Sequence, residues 1–544
     1  MAAPRRISKR VAVLAVGVLT LAACASGNPV SRSASRGTID GVPLDTVRPT
    51  PTTTGDTGST GAIGSSTGAP TGSAAPGSNP PNRGSGSTDA FGWKPAGENL
   101  ESGRLEVPLD YADPAKGTIE LAAVRHLATD AKHRIGTLLV NPGGPGVPGT
   151  ALGLQAAFIY DPELLDRFDI LGWDPRGTGD STPAVDCTDD LDHFFGLDSS
   201  PDTAAEQQAL VDVGTEFGAD CEKQDGRLLP YIDTVSSARD MDAIRNALGE
   251  PKISYFGFSY GSELGATWAT LFPATVRAMV IDGAVDPTES FLQQELEQAT
   301  GFEATFDTFL AQCSADPTCA FHNGANAAGA YDTLAAEIDA TPLPSEAGRT
   351  PVTDGVLETA VNQAMYSQSS WAALEKALAD AQRGDGAGLL ALYDQYFSID
   401  GPGGTSDDNS IEAYFAILCL DSHGSTGPAD LFSHEAEFAA AAPRLGRGWM
   451  AELVFCSVWP VPEVAPFTIT GRGAGPIVVV GTTGDPATPL VSTKKMADTL
   501  EDGRLVVVSA NQHTGYGVNA CVNAAVDDYL VDPAKAPKDG LSCR

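Results

Sequence analysis

Positive charge is scarce in this sequence. Its 544 residues hold 34 Lys and Arg against 70 Asp and Glu, a formal net charge of -36. A chain this acidic repels phosphate backbones and anionic headgroups, which excludes nucleic acid as a partner. Long apolar runs are missing too. The one extended run, Val11–Ala23, has 13 residues, short of the ~20 that an α-helix needs to cross a bilayer. Cysteine and histidine never gather at the tight spacings of a zinc site, so no metal is expected. No repeat of domain size is visible, which excludes solenoids and arrays.

What the first residues do contain reads as an address. Arg5, Arg6, Lys9 and Arg10 precede the apolar run, the order of an export signal. The run ends in "LAAC", Leu21–Cys24, which resembles a bacterial lipobox. Residues 1–24 are then a lipoprotein signal peptide, and Cys24 is the lipidated first residue that anchors the mature chain to the outer face of the cell membrane. The alternative is an ordinary signal peptide cleaved nearby. Gly, Ser, Thr, Pro and Asn dominate residues 25–90. They bury too little apolar surface to offset chain entropy, so this segment is expected to be a disordered linker. Eight further cysteines remain: Cys187, Cys221, Cys313, Cys319, Cys419, Cys456, Cys521 and Cys543. In an exported chain an even number implies up to four disulfides. Pairing neighbours along the chain is one choice among many connectivities.

From Phe91 onward, short runs rich in Val, Ile and Leu alternate with helical patterns, which predicts a mainly parallel α/β sheet. The expected strands are Leu105–Tyr111, Thr118–Leu127, Ile135–Pro142, Phe168–Pro175, Lys252–Ser259 and Val276–Gly283, then Pro476–Asp485 and Arg504–His513. Helices are expected between them, as at Val235–Leu248 and Leu490–Leu500. Residues 286–475 have a different texture, with amphipathic patterns at Phe302–Leu310, Gly329–Asp339 and Ser370–Arg383. That stretch is too long for a loop between two core strands. It is expected to be a helical cap inserted into a core formed by residues 91–285 and 476–544.

One strand-to-helix junction, "ISYFGFSYGSELG" at 253–265, carries a Ser between two glycines. A nucleophile held on a sharp turn between strand and helix needs small residues two before and two after it, and Gly257 and Gly261 flank Ser259 in that way. The same pattern occurs at Gly64–Gly68 inside the linker, with no strand before it and no helix after it. A nucleophilic Ser needs a base and an acid to orient that base, in the order Ser, Asp or Glu, His for this kind of sheet. His126, His133 and His193 precede Ser259, while His322, His423 and His434 fall in the insertion. His513 alone follows a core strand. Asp485, in "PIVVVGTTGDPATP", is the expected acid, with Asp282 and Asp286 as competitors. Two N–H donors for an oxyanion are expected from Tyr260, after the nucleophile, and from Gly143 and Gly144 in "LLVNPGGPGVPG".

Together these residues resemble the tripeptidyl aminopeptidase-like branch of the α/β-hydrolases, related to proline iminopeptidases. The likeness rests on "NPGGPG" at 141–146, "DILGWDPRGTGDSTP" at 169–183, "ARDMDAIRNALG" at 238–249, the region 253–287, "AILCLD" at 416–421, "CSVWP" at 456–460, "GDPATP" at 484–489 and "QHTGYG" at 512–517. It implies an α/β-hydrolase fold with a helical cap and no cofactor. It also implies acyl-enzyme chemistry by Ser259, Asp485 and His513, which removes short peptides from substrate amino termini. It further implies that Cys419 pairs with Cys456, and that acidic cap residues hold the substrate amine, for which Glu289, Glu295 and Glu297 are the candidates. Two departures stand out: Gln512 precedes the His where the family more usually has Gly, and Asn141-Pro142 stands where relatives often have His. The same machinery hydrolyses esters, so a carboxylesterase is the second reading. A non-catalytic peptide-binding lipoprotein is the third, disfavoured because every catalytic group is present.

Overall fold

Three runs, Gly136–Asn141, Ile253–Phe258 and Ile477–Thr482, are buried at every position. Continuous apolar strands of this kind belong to a parallel sheet covered on both faces. The computed structural model describes residues 89–544 apart from 402, 407 and 425. The signal segment 1–24 with Cys24, and the linker up to residue 88, lie outside the described residues.

Among the described residues ten strands form one sheet: β1 Lys94–Gly97, β2 Leu100–Pro108, β3 Thr118–His126, β4 Gly136–Asn141, β5 Phe168–Trp173, β6 Ile253–Phe258, β7 Val276–Asp282, β8 Ile477–Thr482, β9 Gly503–Val508 and β10 Leu541–Cys543. Their order is β1-β2-β3-β5-β4-β6-β7-β8-β9-β10. β1, β2, β3 and β5 pair antiparallel, and every pair from β5 to β10 is parallel. Side chains alternate across the pleat: Leu138 and Val140 join one core, and Leu139 joins the other. The edge strands β1 and β10 were not expected. Each is short and has no long apolar run to mark it.

The loops at the carboxyl ends of the parallel strands carry the long excursions. Between β7 and β8 run the helices Phe291–Ala315, Ala327–Ala340, Asp354–Met365, Trp371–Ala381, Ala387–Phe397, Ser410–Asp421 and Met450–Ser457, with shorter turns between them. A second excursion, between β5 and β6, joins them. Its helix Ala204–Asp225 buries Phe217 against Phe195, Phe415 and Phe455. All eight described cysteines pair with their chain neighbour: Cys187–Cys221, Cys313–Cys319, Cys419–Cys456 and Cys521–Cys543. Among the described residues no helix is long and apolar enough to cross a membrane.

Two sequence motifs meet in the core. Arg176, from "DPRGTGD", is fully buried and forks onto Asp240 of "ARDMDAIRNALG", with both nitrogen–oxygen distances at 2.7 Å. Its other donors reach the carbonyls of Leu109 and Tyr231, and Tyr111 Oη donates to the same carboxylate at 2.7 Å. Losing one partner of such a pair leaves an uncompensated buried charge. Asp240→Ala is therefore expected to destabilise the protein by about 3–5 kcal/mol, measured by urea unfolding. A loss under about 1 kcal/mol would contradict this reading of the pair.

Candidate active site

Ser259 sits between the last residue of β6 and the helix Gly261–Leu271, with φ at +55°. Few non-glycine residues adopt that conformation, and it costs of order 1–3 kcal/mol unless neighbours hold it. The neighbours do. Ser259 N donates to Asp282 O at 2.8 Å, and Ser262 N donates to Ser259 O at 2.7 Å. Gly257, before the turn, and Gly265, one helical turn beyond Gly261, serve a further purpose. The Tyr255 ring lies in the space their missing side chains leave, so a Cβ would fall 2.6 Å from ring carbon Cε1 at Gly257 and 2.4 Å from it at Gly265. Tyr255 Oη then donates to Gly261 O at 2.7 Å. The elbow is thus braced from beneath by an aromatic ring.

His513 does not end a strand. β9 stops at Val508, and His513 stands in the loop beyond it. Three elements hold that loop. Asp485 Oδ1 lies 2.8 Å from His513 Nδ1, and Asp485 Oδ2 accepts from Thr514 N at 3.1 Å. Asp485 Oδ1 is itself fixed by the N–H groups of Ala487 and Thr488. Asp282, at the end of β7, accepts from Gly515 N and Tyr516 N at 2.8 and 2.7 Å. From the insertion, Tyr366 O accepts from His513 N at 3.0 Å, and the Tyr366 ring packs edge-on to the imidazole. His513 Nε2 is buried and has no hydrogen-bond partner among the described residues.

Charge at the site is uneven. Burial alone pushes the His513 imidazole down, but the Asp485 carboxylate and its hydrogen bond, with Asp282 behind them, outweigh it and leave the pKa raised. Asp282 is pushed up to about 7, chiefly by burial. Of the three acids considered from sequence, Asp485 is the one bonded to the imidazole. Asp282 secures the following turn, and Asp286 accepts from Thr288 at the start of the insertion.

The loop Gly143–Gly144 packs against the elbow. A Cβ at Gly143 would lie 2.5 Å from Phe258 O, 2.8 Å from Ser259 Cβ and 3.2 Å from Tyr260 N. Close approach to Ser259 therefore requires Gly there. Expectation and structure part at one point: Gly143 N–H donates to Asn141 Oδ1 at 2.9 Å and is no longer free to meet an oxyanion. That bond gives Asn141 a role at the position where the family often has His.

Ser259, Gly144 and His513 line one cavity with Tyr366, Tyr396 and Tyr414. The candidate amine-binding acids separate. Glu295 is buried beside Glu452, and Tyr414 Oη donates to Glu452 at 2.7 Å. Burial, and then the neighbouring Glu452, raise Glu295 well above the carboxylate range, and burial takes Glu452 to about 7. Glu289 and Glu297 instead face each other elsewhere: Glu297 accepts from Ser492, and Glu289 lines a different cavity. Sequence reasoning missed Glu452 and Tyr366. No motif surrounds either one: Tyr366 lines the Ser259 cavity, while Glu452 lines a neighbouring cavity and meets the first through Tyr414.

Comparisons with known proteins agree with this architecture. A model of the α/β-hydrolase fold matches residues 136–520. Serine protease Hip1 of Mycobacterium tuberculosis is 34% identical over 461 residues, 81% of this chain and 86% of that protein. Carboxylesterase B of the same organism is 34% identical over 453 residues, with 81% and 85% covered. Tripeptidyl aminopeptidase of Streptomyces lividans is 31% identical over 449 residues, with 79% and 81% covered. The chain belongs to the α/β-hydrolase family, and it is a serine hydrolase.

Proposed function

We propose that Ser259 attacks a substrate carbonyl, that His513 is its general base and that Asp485 holds His513 in the required tautomer. The observation carrying this reading is the 2.8 Å bond between Asp485 and His513 Nδ1, at a cavity that Ser259 also lines. With Nδ1–H bound to the carboxylate, Nε2 is left to accept the Ser259 proton. The unpartnered state of Nε2 fits a catalytic bond that tightens once substrate is bound. The N–H groups of Tyr260 and Gly144 receive the negative charge that develops on the carbonyl oxygen. His513 then returns the proton to the leaving group, and water attacks the acyl-enzyme by the same route. No cofactor enters these steps.

The substrate we favour is a peptide with a free amino terminus, from which a short peptide is released. The Glu295–Glu452 pair supports this. Two carboxyl groups share a buried site, Tyr414 donates to Glu452 there, and an ammonium would be met by both acids. Glu289 and Glu297 are set aside for this role because they lie apart from that pair. Ester hydrolysis is the second reading, favoured by a 34% identity to a carboxylesterase that equals the identity to a protease. We further propose export and anchoring through lipidated Cys24, on the strength of the "LAAC" motif and four disulfides.

Ser259→Ala should abolish turnover of a free-amine tripeptide anilide, and turnover that survives would overturn the mechanism. Blocking the tripeptide's amine should raise KM at least tenfold in the wild type. Glu452→Gln should raise KM for the free-amine substrate and leave a short-chain ester unaffected; equal rates on blocked and free tripeptides would remove the aminopeptidase reading. The pH profile follows from the raised His513 pKa. The base works only when neutral, so kcat/KM should fall as pH drops through a midpoint above the ordinary histidine value of 6.5. Asp485→Asn removes the main support, so the midpoint should move downward and kcat should fall by about 10⁴.

A further inference from the structure

The side chain of Tyr260, whose backbone N–H is the proposed oxyanion donor, points to a use beyond packing. It is 8% exposed and lines a second cavity, which meets the one lined by Ser259 and His513 at Pro145. There its hydroxyl lies 2.5 Å from Thr234 Oγ1. Thr234 opens the helix Thr234–Ala247, and its hydroxyl donates to Asp421 Oδ2 at 2.7 Å. Thr234 N donates to the same oxygen at 2.9 Å. A threonine hydroxyl has one proton, which the carboxylate takes, so the phenol is the donor in the bond between Tyr260 and Thr234. Burial first, and then the Asp421 carboxylate, push the phenol's pKa well up, so it stays a donor. Burial first, and then Glu263, also push Asp421 well above the ordinary carboxylate range, and with either proton order the links run Tyr260–Thr234–Asp421.

Asp421 is the last residue of the insertion helix Ser410–Asp421. The first turns of that helix, through Ser410, Ile411 and Tyr414, line the catalytic cavity, and its last turn, through Ile417, Leu418 and Asp421, lines the second. It also packs on the oxyanion loop, since a Cβ at Gly146 would fall 2.4 Å from Ser410 O and 2.6 Å from Tyr414 N. The Cys419–Cys456 bridge staples its last turn to the helix Met450–Ser457. Glu263, Glu289 and His423 are the other titratable groups of the second cavity besides Asp421 and Tyr260.

We propose that Thr234 and Asp421 are positioning residues that hold the Tyr260 amide at the oxyanion through this hydrogen-bond chain, so that the helix lining the substrate cavity and the oxyanion donor move as one unit. The physical ground is the tight tolerance of an oxyanion donor, which acts at 2.7–3.1 Å from the charged oxygen, and for which a shift of ~1 Å can cost ~10²-fold. The Ser259 turn fixes one side of the Tyr260 peptide unit. The phenol, tied to an element outside the elbow, fixes the residue from the other side. A wall helix displaced by a poorly fitting substrate pulls on Asp421 and disturbs the donor.

This inference rests on Tyr260 N–H being an oxyanion donor, and the test separates the two claims. In the full chain, Thr234→Val removes the hydroxyl and keeps the shape, while Tyr260→Phe keeps the backbone amide and removes the phenol. Each should lower kcat on a p-nitrophenyl ester about tenfold, with KM within about twofold of wild type. The double variant should match either single, because one chain is cut in both. Thr234→Ser, which restores the hydroxyl, should recover kcat to within about twofold. A wild-type kcat in Tyr260→Phe, or losses that multiply in the double variant, or a loss confined to KM, would overturn the proposal. If Thr234→Val melts too low to assay, Tyr260→Phe alone decides. Ester turnover surviving in Ser259→Ala would instead overturn the mechanism itself, whatever the other variants do.

Discussion

A left-handed turn at Ser259 is the constraint on which the rest of the site depends. The chain must leave β6, reverse sharply and start a helix within two residues, and it does so at a φ of +55° on a residue with a side chain. That conformation survives because the surroundings over-determine it. The Ser259 amide is tied to β7, the Tyr255 ring fills the space under the glycines, and Tyr255 Oη holds the Gly261 carbonyl. Larger residues at 257 or 265 would evict that ring, so the glycine spacing is a packing requirement as much as a backbone one. The strain of one residue is balanced by a buried aromatic and a short set of hydrogen bonds.

The base is held differently. His513 lies in a loop, and loops keep geometry only where something outside them supplies it. Here the support comes from both layers of the molecule. Two buried carboxylates from the ends of β7 and the β8 loop grip residues 513–516, and Tyr366 of the insertion accepts the His513 amide. The insertion is therefore part of the site's structure as well as its lid-side wall. It contributes the tyrosines of the cavity, one of which donates to Glu452, and one bond to the base. Electrostatics follows the same division. Carboxylates near His513 support its positive form, while burial opposes it, and the balance favours an imidazole that takes a proton readily.

Much of this is legible in the sequence. The parallel strands announce themselves as apolar runs because both sheet faces are covered, and Ser259, Asp485 and His513 follow such runs in the order Ser, Asp, His, although β8 and β9 stop at Thr482 and Val508 and the loops beyond them carry the acid and the base. The edge strands β1 and β10 carry little apolar signal, because β1 is exposed throughout and β10 has three residues with one apolar side chain before Cys543. Gly143 looked like a donor because nothing in "NPGGPG" says that Asn141 turns back to occupy its N–H. Glu452 and Tyr366 were invisible for another reason. Their partners lie far along the chain on separate helices, and helix periodicity reports which face is buried, not which neighbour it meets. Sequence proximity groups the three glutamates near the start of the insertion, but the fold turns Glu295 towards Glu452 and leaves Glu289 and Glu297 facing each other.

The central claim is that Ser259 is the residue acylated during turnover. Peptide mapping by mass spectrometry after reaction with a fluorophosphonate tests it most directly. The account predicts a single adduct on the peptide that contains Ser259, formed by the wild type and lost in His513→Ala. An adduct on any other residue, or one formed on Ser259 at the same rate without His513, would contradict it.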